Sequence, residues 1–237
     1  MPTDDLLTYL FDGRPHLLAQ PVAAWLASSR RFTTFATTFQ DKIRKKIRTT
    51  PEHENLLDLQ LELETAYLLL RERSLSVAYE PEIAKGIRSP DFAVSFTTSH
   101  TFMLEVTRIQ ADAKSTPDTR LAATIADKLG QLLPQRGNAL LVGIEAAELN
   151  QDDIQRALLG IQQRAQQNDQ AFLQRHRFRD RADFFRHYQR LSEILVRQPQ
   201  DQGSGSAVAW SNPQAKHPLP GKVRSALYRS QSLSLEG

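Results

Sequence analysis

Cysteine is absent from the 237 residues of this chain, which removes disulfides, thiolate metal sites, iron–sulfur clusters and cysteine nucleophiles together. No apolar run approaches the roughly 18 residues that a membrane-spanning helix needs. The opening MPTDDLLTYLF is acidic and lacks the basic start and long apolar stretch of a secretory leader. These absences predict a protein with no membrane partner and a cytoplasmic location. The phosphate-cradling GxxxxGK[ST], the dinucleotide GxGxxG, the GxSxG nucleophile elbow and the HExxH zinc helix are missing too, and the six histidines form no zinc spacing. Charge of one sign is also scarce: the net charge is only +3, less than a DNA-packaging protein carries, so the placement of charge matters more than its sum. The hydrophobic share, 40%, is enough for a packed core.

Residues 4–48 read as helical. Pro21 can open a helix in which Val22, Trp25, Leu26, Phe32, Phe35 and Phe39 recur every three or four residues. The stretch ends in DKIRKKIR, and Thr50-Pro51 breaks it. A second helix is predicted over residues 51–73, with Leu56, Leu59, Leu63, Ala66 and Leu70 as its buried stripe and Glu62 and Glu64 on its flanks. Leu75, Val77 and Tyr79 alternate as in a strand. Gly86 and Ser89-Pro90 make a turn before a second strand, DFAVSF. Polar residues around Thr97 to His100 connect it to a third, FMLEVTRI. Residues 117–133 predict a helix with Leu121, Ile125, Leu129 and Leu132 inward, and NALLVGIE a buried strand. Residues 151–190 are polar and helical. LSEILVR reads as a strand or as the end of that helix. QPQDQGSGS has loop composition, AVAWSNP suits a short strand, HPLPGKVRSALYR leads into a last helix, and SQSLSLEG is expected to fray. The division expected is an N-terminal helical extension over 1–50, carrying the basic helix, and an α/β domain over 51–237 with a helical insertion around 151–190.

The pair of strands around residues 91–109 carries the chemistry. Asp91 heads one apolar strand and Glu105 lies inside the next. Two carboxylates on neighbouring strands can converge on one divalent cation, and Mg2+ or Mn2+ prefers such oxygen ligands. Alternation puts Glu105 and Thr107 on one face of the strand and Val106 and Arg108 on the other. Each residue also has a plainer reading. Asp91 after Ser-Pro can cap a turn, Glu105 can be an edge-strand glutamate, Glu62 and Glu64 can be solvated helix flanks, and Lys128 can be a surface lysine.

The succession helix–strand–strand–strand–helix–strand over roughly residues 55 to 145, with Pro90-Asp91 and Glu105-Val106-Thr107 on the second and third strands, resembles the PD-(D/E)XK nuclease superfamily. The resemblance implies an α/β, restriction-endonuclease-like core. Its central mixed sheet would have four to six strands, flanked by helices, with helical segments at both ends. It implies a Mg2+- or Mn2+-dependent phosphodiesterase acting on DNA or RNA, with Asp91 and Glu105 as metal ligands and Glu62, or less readily Glu64, completing the site. It permits a homodimer. The family pattern has a lysine two residues after the glutamate, where this chain has Thr107. Arg108 faces away and stays protonated, which leaves Lys128, on the following helix, as the substitute cation. Catalysis by Asp91, Glu105, Glu62 and Lys128 is one expectation. A catalytically degenerate nucleic-acid-binding or protein-interaction module on the same fold is the other.

Two basic segments are candidate phosphate contacts. Lys42, Arg44, Lys45, Lys46 and Arg48 ring a helix whose Ile43 and Ile47 stay on one face; it either tracks a phosphate backbone or is a packed amphipathic surface helix. In FLQRHRFRDRADFFRHYQR, Arg175, Arg177 and Arg179 alternate with aromatics that either stack on bases or anchor the core.

Overall fold

The computed structural model describes residues 2–50, 52–83, 88–97, 99–110, 115–144, 150–197 and 207–232. The turn expected at Gly86, the QPQDQGSGS loop and most of the SQSLSLEG tail lie outside the described residues.

Four helices open the chain: α1 (Thr3–Phe11), α2 (Ala19–Ser28), α3 (Arg30–Thr38) and α4 (Gln40–Thr49). Then come α5 (His53–Arg71), β1 (Leu75–Tyr79), β2 (Phe92–Phe96), β3 (His100–Ile109), α6 (Pro117–Leu129) and β4 (Asn138–Ile144). The rest is α7 (Gln151–Gln166), α8 (Gln170–Arg175), α9 (Arg181–Tyr188), β5 (Leu191–Arg197), β6 (Ala207–Ser211) and α10 (Gly221–Ser232). The six strands form one mixed, open sheet in sequential order. β1, β2 and β3 are antiparallel, β3–β4 and β4–β5 are parallel, and β6 returns antiparallel at the edge. The parallel pairs need crossovers, which α6 and the α7–α9 group supply.

Two cores cover the two faces. On one, Phe102, Leu104 and Val106 of β3 pack with α5, α10 and residues of α1–α4, including Leu6, Trp25 and Phe32. On the other, Leu140, Val142, Ile194 and Val196 pack with α6–α9. The residues of the expected N-terminal extension therefore share a core with the sheet. α5 buries more than the single stripe read from its sequence: Leu61, Tyr67, Leu68 and Leu69 are buried as well, because the helix lies between the sheet and α3, α4 and α10. It comes so close to β4 that a Cβ at Gly143 would stand 2.5 Å from a methyl of Leu61, so a larger residue there requires the Leu61 side chain to shift.

Other boundaries differ from the sequence reading for local reasons. α6 stops at Leu129, short of residue 133, with Leu132 and Leu133 buried beyond its end. The single helical stretch over 151–190 is three helices, each with its own N-cap: Asn150 in a reciprocal pair with Asp153, then Asp169, then Asp180. LSEILVR is strand β5, buried along its whole length. Among the described residues no helix is long and apolar enough to cross a membrane.

Candidate active site

The site forms where β2 ends and β3 continues. Phe92, the first residue of β2, is opposite Leu104, so Asp91 continues the register opposite Glu105. β3 runs on to Ile109 with only β4 beside it. The Val106 amide on the open side would lack a partner, and Asp91 Oδ2 accepts its hydrogen bond at 2.7 Å. Asp91 therefore takes up part of the work the missing strand would do. Its side chain thus satisfies a backbone amide of the next strand rather than one of its own turn.

Glu105 is 3% exposed and lies on the face covered by α6, as does its register partner Leu140. Lys128, in the last turn of α6, brings Nζ to 3.5 Å from Glu105 Oε2. That is longer than the roughly 2.8 Å of a strong charge-assisted hydrogen bond. Burial raises the Glu105 pKa to about 7, the charge of Asp91 adds to the rise, and Lys128 and Arg88 oppose it. The carboxyl therefore changes charge near neutrality.

Glu62 reaches the same region from α5. Burial raises its pKa, Lys46 opposes the rise and the Asp91 charge adds to it. Lys46 Nζ stands 2.6 Å from Glu62 and 2.8 Å from Glu80. Burial works against the Lys46 charge, yet these two glutamates outweigh it and raise the Lys46 pKa. The Tyr79 hydroxyl is buried beside Glu62, outside hydrogen-bond geometry. Glu64 is turned elsewhere, paired with buried Arg197 at 2.6 Å. Arg108 points to the α5 face, as alternation requires, and is held by Glu54 at 2.6 Å and Asp58 at 2.9 Å.

The basic residues separate into two groups. Lys42 and Lys46 line an open cleft of about 740 Å³ together with Arg88 and Asp91; Lys42 Nζ also donates to the carbonyl of Glu80 at 2.9 Å. Arg175 and Arg177 line a neighbouring cavity, of which Arg88 is also a wall. Arg44 and Arg48 instead pair with Asp12, Lys45 lines a hollow with Tyr9 and Arg48, and Arg179 pairs with Asp183 at 3.0 Å. Ile43 and Ile47 are buried, so the basic helix is packed against the body. Phe172, Phe178, Phe184 and Tyr188 are buried in the second core, so these four rings are core anchors rather than free stacking surfaces.

Arg88 and Glu80 were not singled out in the sequence. Arg88 stands just before the Ser-Pro-Asp turn, a signal available in principle. Glu80 becomes relevant only through Lys46.

The donor chemistry suits a hard divalent cation: two carboxylates, one of them with its pKa raised by burial and further by the other. Among the described residues no group of three or more histidine, aspartate or glutamate side chains forms a metal site. Mg2+ often takes only one or two carboxylates and completes its shell with water and phosphate oxygens, so Asp91 and Glu105 fit such an ion. No family model matches the chain, and neither a curated protein nor a solved structure does.

Proposed function

We propose that this protein is a metal-dependent nuclease with a restriction-endonuclease-like core, hydrolysing phosphodiester bonds in DNA or RNA. One observation carries the reading. Glu105 is buried opposite Asp91, its pKa is raised to about 7, and its described cation, Lys128, stands 3.5 Å away. A buried glutamate beside the half-buried Asp91, with its ammonium at 3.5 Å, is costly unless a further cation completes the site.

Asp91 and Glu105 would hold Mg2+ or Mn2+. Such an ion, when bound, stabilises charge on the phosphate and lowers the pKa of its water. The chain's own residues supply the rest. Lys128 brings an ammonium to Glu105, the cation that Thr107 does not supply, where it would orient the attacking water and offset developing negative charge. Lys42, Lys46 and Arg88 line the cleft beside Asp91 and attract the phosphate backbone. Glu62, already paired with Lys46, positions that lysine.

Thr107 favours a second reading, a degenerate nuclease fold that binds nucleic acid without cutting it. Plasmid, linear and single-stranded DNA and RNA, each incubated with Mg2+, Mn2+ or EDTA, separate the two. Cleavage that needs the metal and vanishes in Asp91→Ala and Glu105→Ala supports the nuclease. Cleavage that survives EDTA or both substitutions refutes it, and salt-sensitive binding with no cleavage selects the second reading.

A further inference from the structure

Arg175 and Arg177 differ from four neighbouring arginines that carboxylates hold. Arg156 pairs with Asp153, Arg164 with Asp169 at 2.8 Å, and Arg179 and Arg186 share Asp183 at 3.0 and 2.8 Å. No carboxylate pairs with Arg175, Arg177 or Arg88 among the described residues. These three arginines line one cavity of about 530 Å³, together with His176, His187 and Asp127. The carboxylate there, Asp127, has Oδ1 2.6 Å from His176 Nδ1. Positive charge is thus in excess around a half-open cavity, the arrangement that suits a phosphate.

The backbone gives an independent sign. Phe178 N donates to the Leu173 carbonyl at 2.8 Å and Arg177 N to the Gln174 carbonyl at 3.1 Å. This pair of bonds closes a helix with a left-handed residue between them, and Arg177 is that residue, at φ 62. Glycine takes the position without steric cost, whereas arginine is strained in it. The turn buries Phe178 against Phe184 and leaves Arg175 and Arg177 both on the cavity. Arg88 joins this cavity to the cleft at Asp91, and its charge is felt at Glu105.

We propose that the Arg88–Arg175–Arg177 cavity is a phosphate subsite, taking a backbone phosphate of a nucleic-acid strand whose neighbouring phosphate faces Glu105. The strand assignment rests on the nuclease reading, whereas phosphate capture by the cavity does not.

The test uses the full chain carrying Glu105→Gln, without metal, titrated calorimetrically with inorganic phosphate and separately with a ten-nucleotide single-stranded DNA. Arg177→Gly is added to this background, with Lys222→Ala, an exposed lysine of α10, as the control. The glycine relieves the left-handed strain, so the Tm of Arg177→Gly is expected to hold or rise, and a weaker fold does not explain lost binding. Both affinities are expected to fall at least about ten-fold in Arg177→Gly and to hold in Lys222→Ala, and the salt slope for the strand is expected to shrink by about 0.7. Unchanged phosphate affinity in Arg177→Gly overturns the subsite. A loss for phosphate with none for the strand overturns the strand assignment. Failure of the nuclease reading shows separately, as the absence of metal-dependent cleavage in the unmodified chain.

Discussion

Glu105 on β3 and Glu193 on β5 are both buried in the same sheet, at 3% and 1% exposure, but on opposite faces and in opposite circumstances. Glu193 lies toward α10 and accepts hydrogen bonds from the Tyr228 hydroxyl at 2.5 Å and from Ser211 at 2.8 Å. Burial raises its pKa, and those two hydroxyls pull it back. Glu105 lies toward α6, with another carboxylate beside it and an ammonium at 3.5 Å. One glutamate is satisfied by the fold and the other is left short of positive charge. Burial alone therefore does not mark a functional carboxylate; the mark is the compensation the fold withholds.

The comparison breaks most visibly in catalysis. Asp91→Ala and Glu105→Ala are each expected to lower metal-dependent cleavage by about 1,000-fold or more, since a metal ion contributes several kcal/mol of charge stabilisation. Glu193→Gln is expected to leave the rate unchanged. Initial rates on a plasmid substrate check both, and a Glu193→Gln enzyme as dead as Glu105→Ala would end the distinction.

Next in size is a pH effect on stability. The folded state holds the Glu105 proton more tightly than the unfolded chain, because its pKa rises from 4.5 to about 7. The Glu105 contribution to stability is then greatest below pH 4.5 and falls as pH rises toward 7, by up to about 3 kcal/mol. Urea melts of the native chain and Glu105→Gln across this window isolate the contribution, since the histidines are common to both. Saturating Mg2+ favours the ionised carboxylate, so it is expected to flatten the Glu105 part of the slope. The Glu193 part has the same sign, and Mg2+ is expected to leave it untouched.

Lys128→Ala is expected to cost about 100-fold in cleavage rate, the usual effect of removing one preorganised donor. Thr107→Lys in that background is expected to restore about ten-fold if the two positions serve one site. A full rate for Lys128→Ala would leave its 3.5 Å approach to Glu105 without a catalytic role.

The two glutamates were unequally legible in the sequence. Glu105 stood out as a charged residue in a largely apolar strand, with Asp91 one short hairpin away. Glu193 sits in LSEILVR, a stretch buried on both faces, and without alternation a strand and a helix end look alike. Lys128 was within reach of sequence reasoning because α6 follows β3 directly. Glu80 and the Asp127–His176 pair were not, since they become relevant only through packing of distant segments. The same holds for Leu6 and Trp25, whose helical periodicity gives an inward face but not the sheet it covers.

The smallest expected effect tests the satisfied side of the comparison. In Tyr228→Phe the ring keeps its packing while Glu193 loses its closer donor. Ser211 remains, and Arg224 supports it with a hydrogen bond at 3.1 Å, so the loss is partial and expected at about 1–2 kcal/mol in a urea melt. Adding Glu193→Gln removes the buried charge that made the missing hydroxyl costly. The double variant is then expected to be less destabilised than the sum of the two singles, the signature of groups that satisfy one another. Strict additivity would mean that Tyr228 and Glu193 contribute separately. Glu193 would then be as poorly compensated as Glu105, and the contrast between them would have to rest on Asp91 alone.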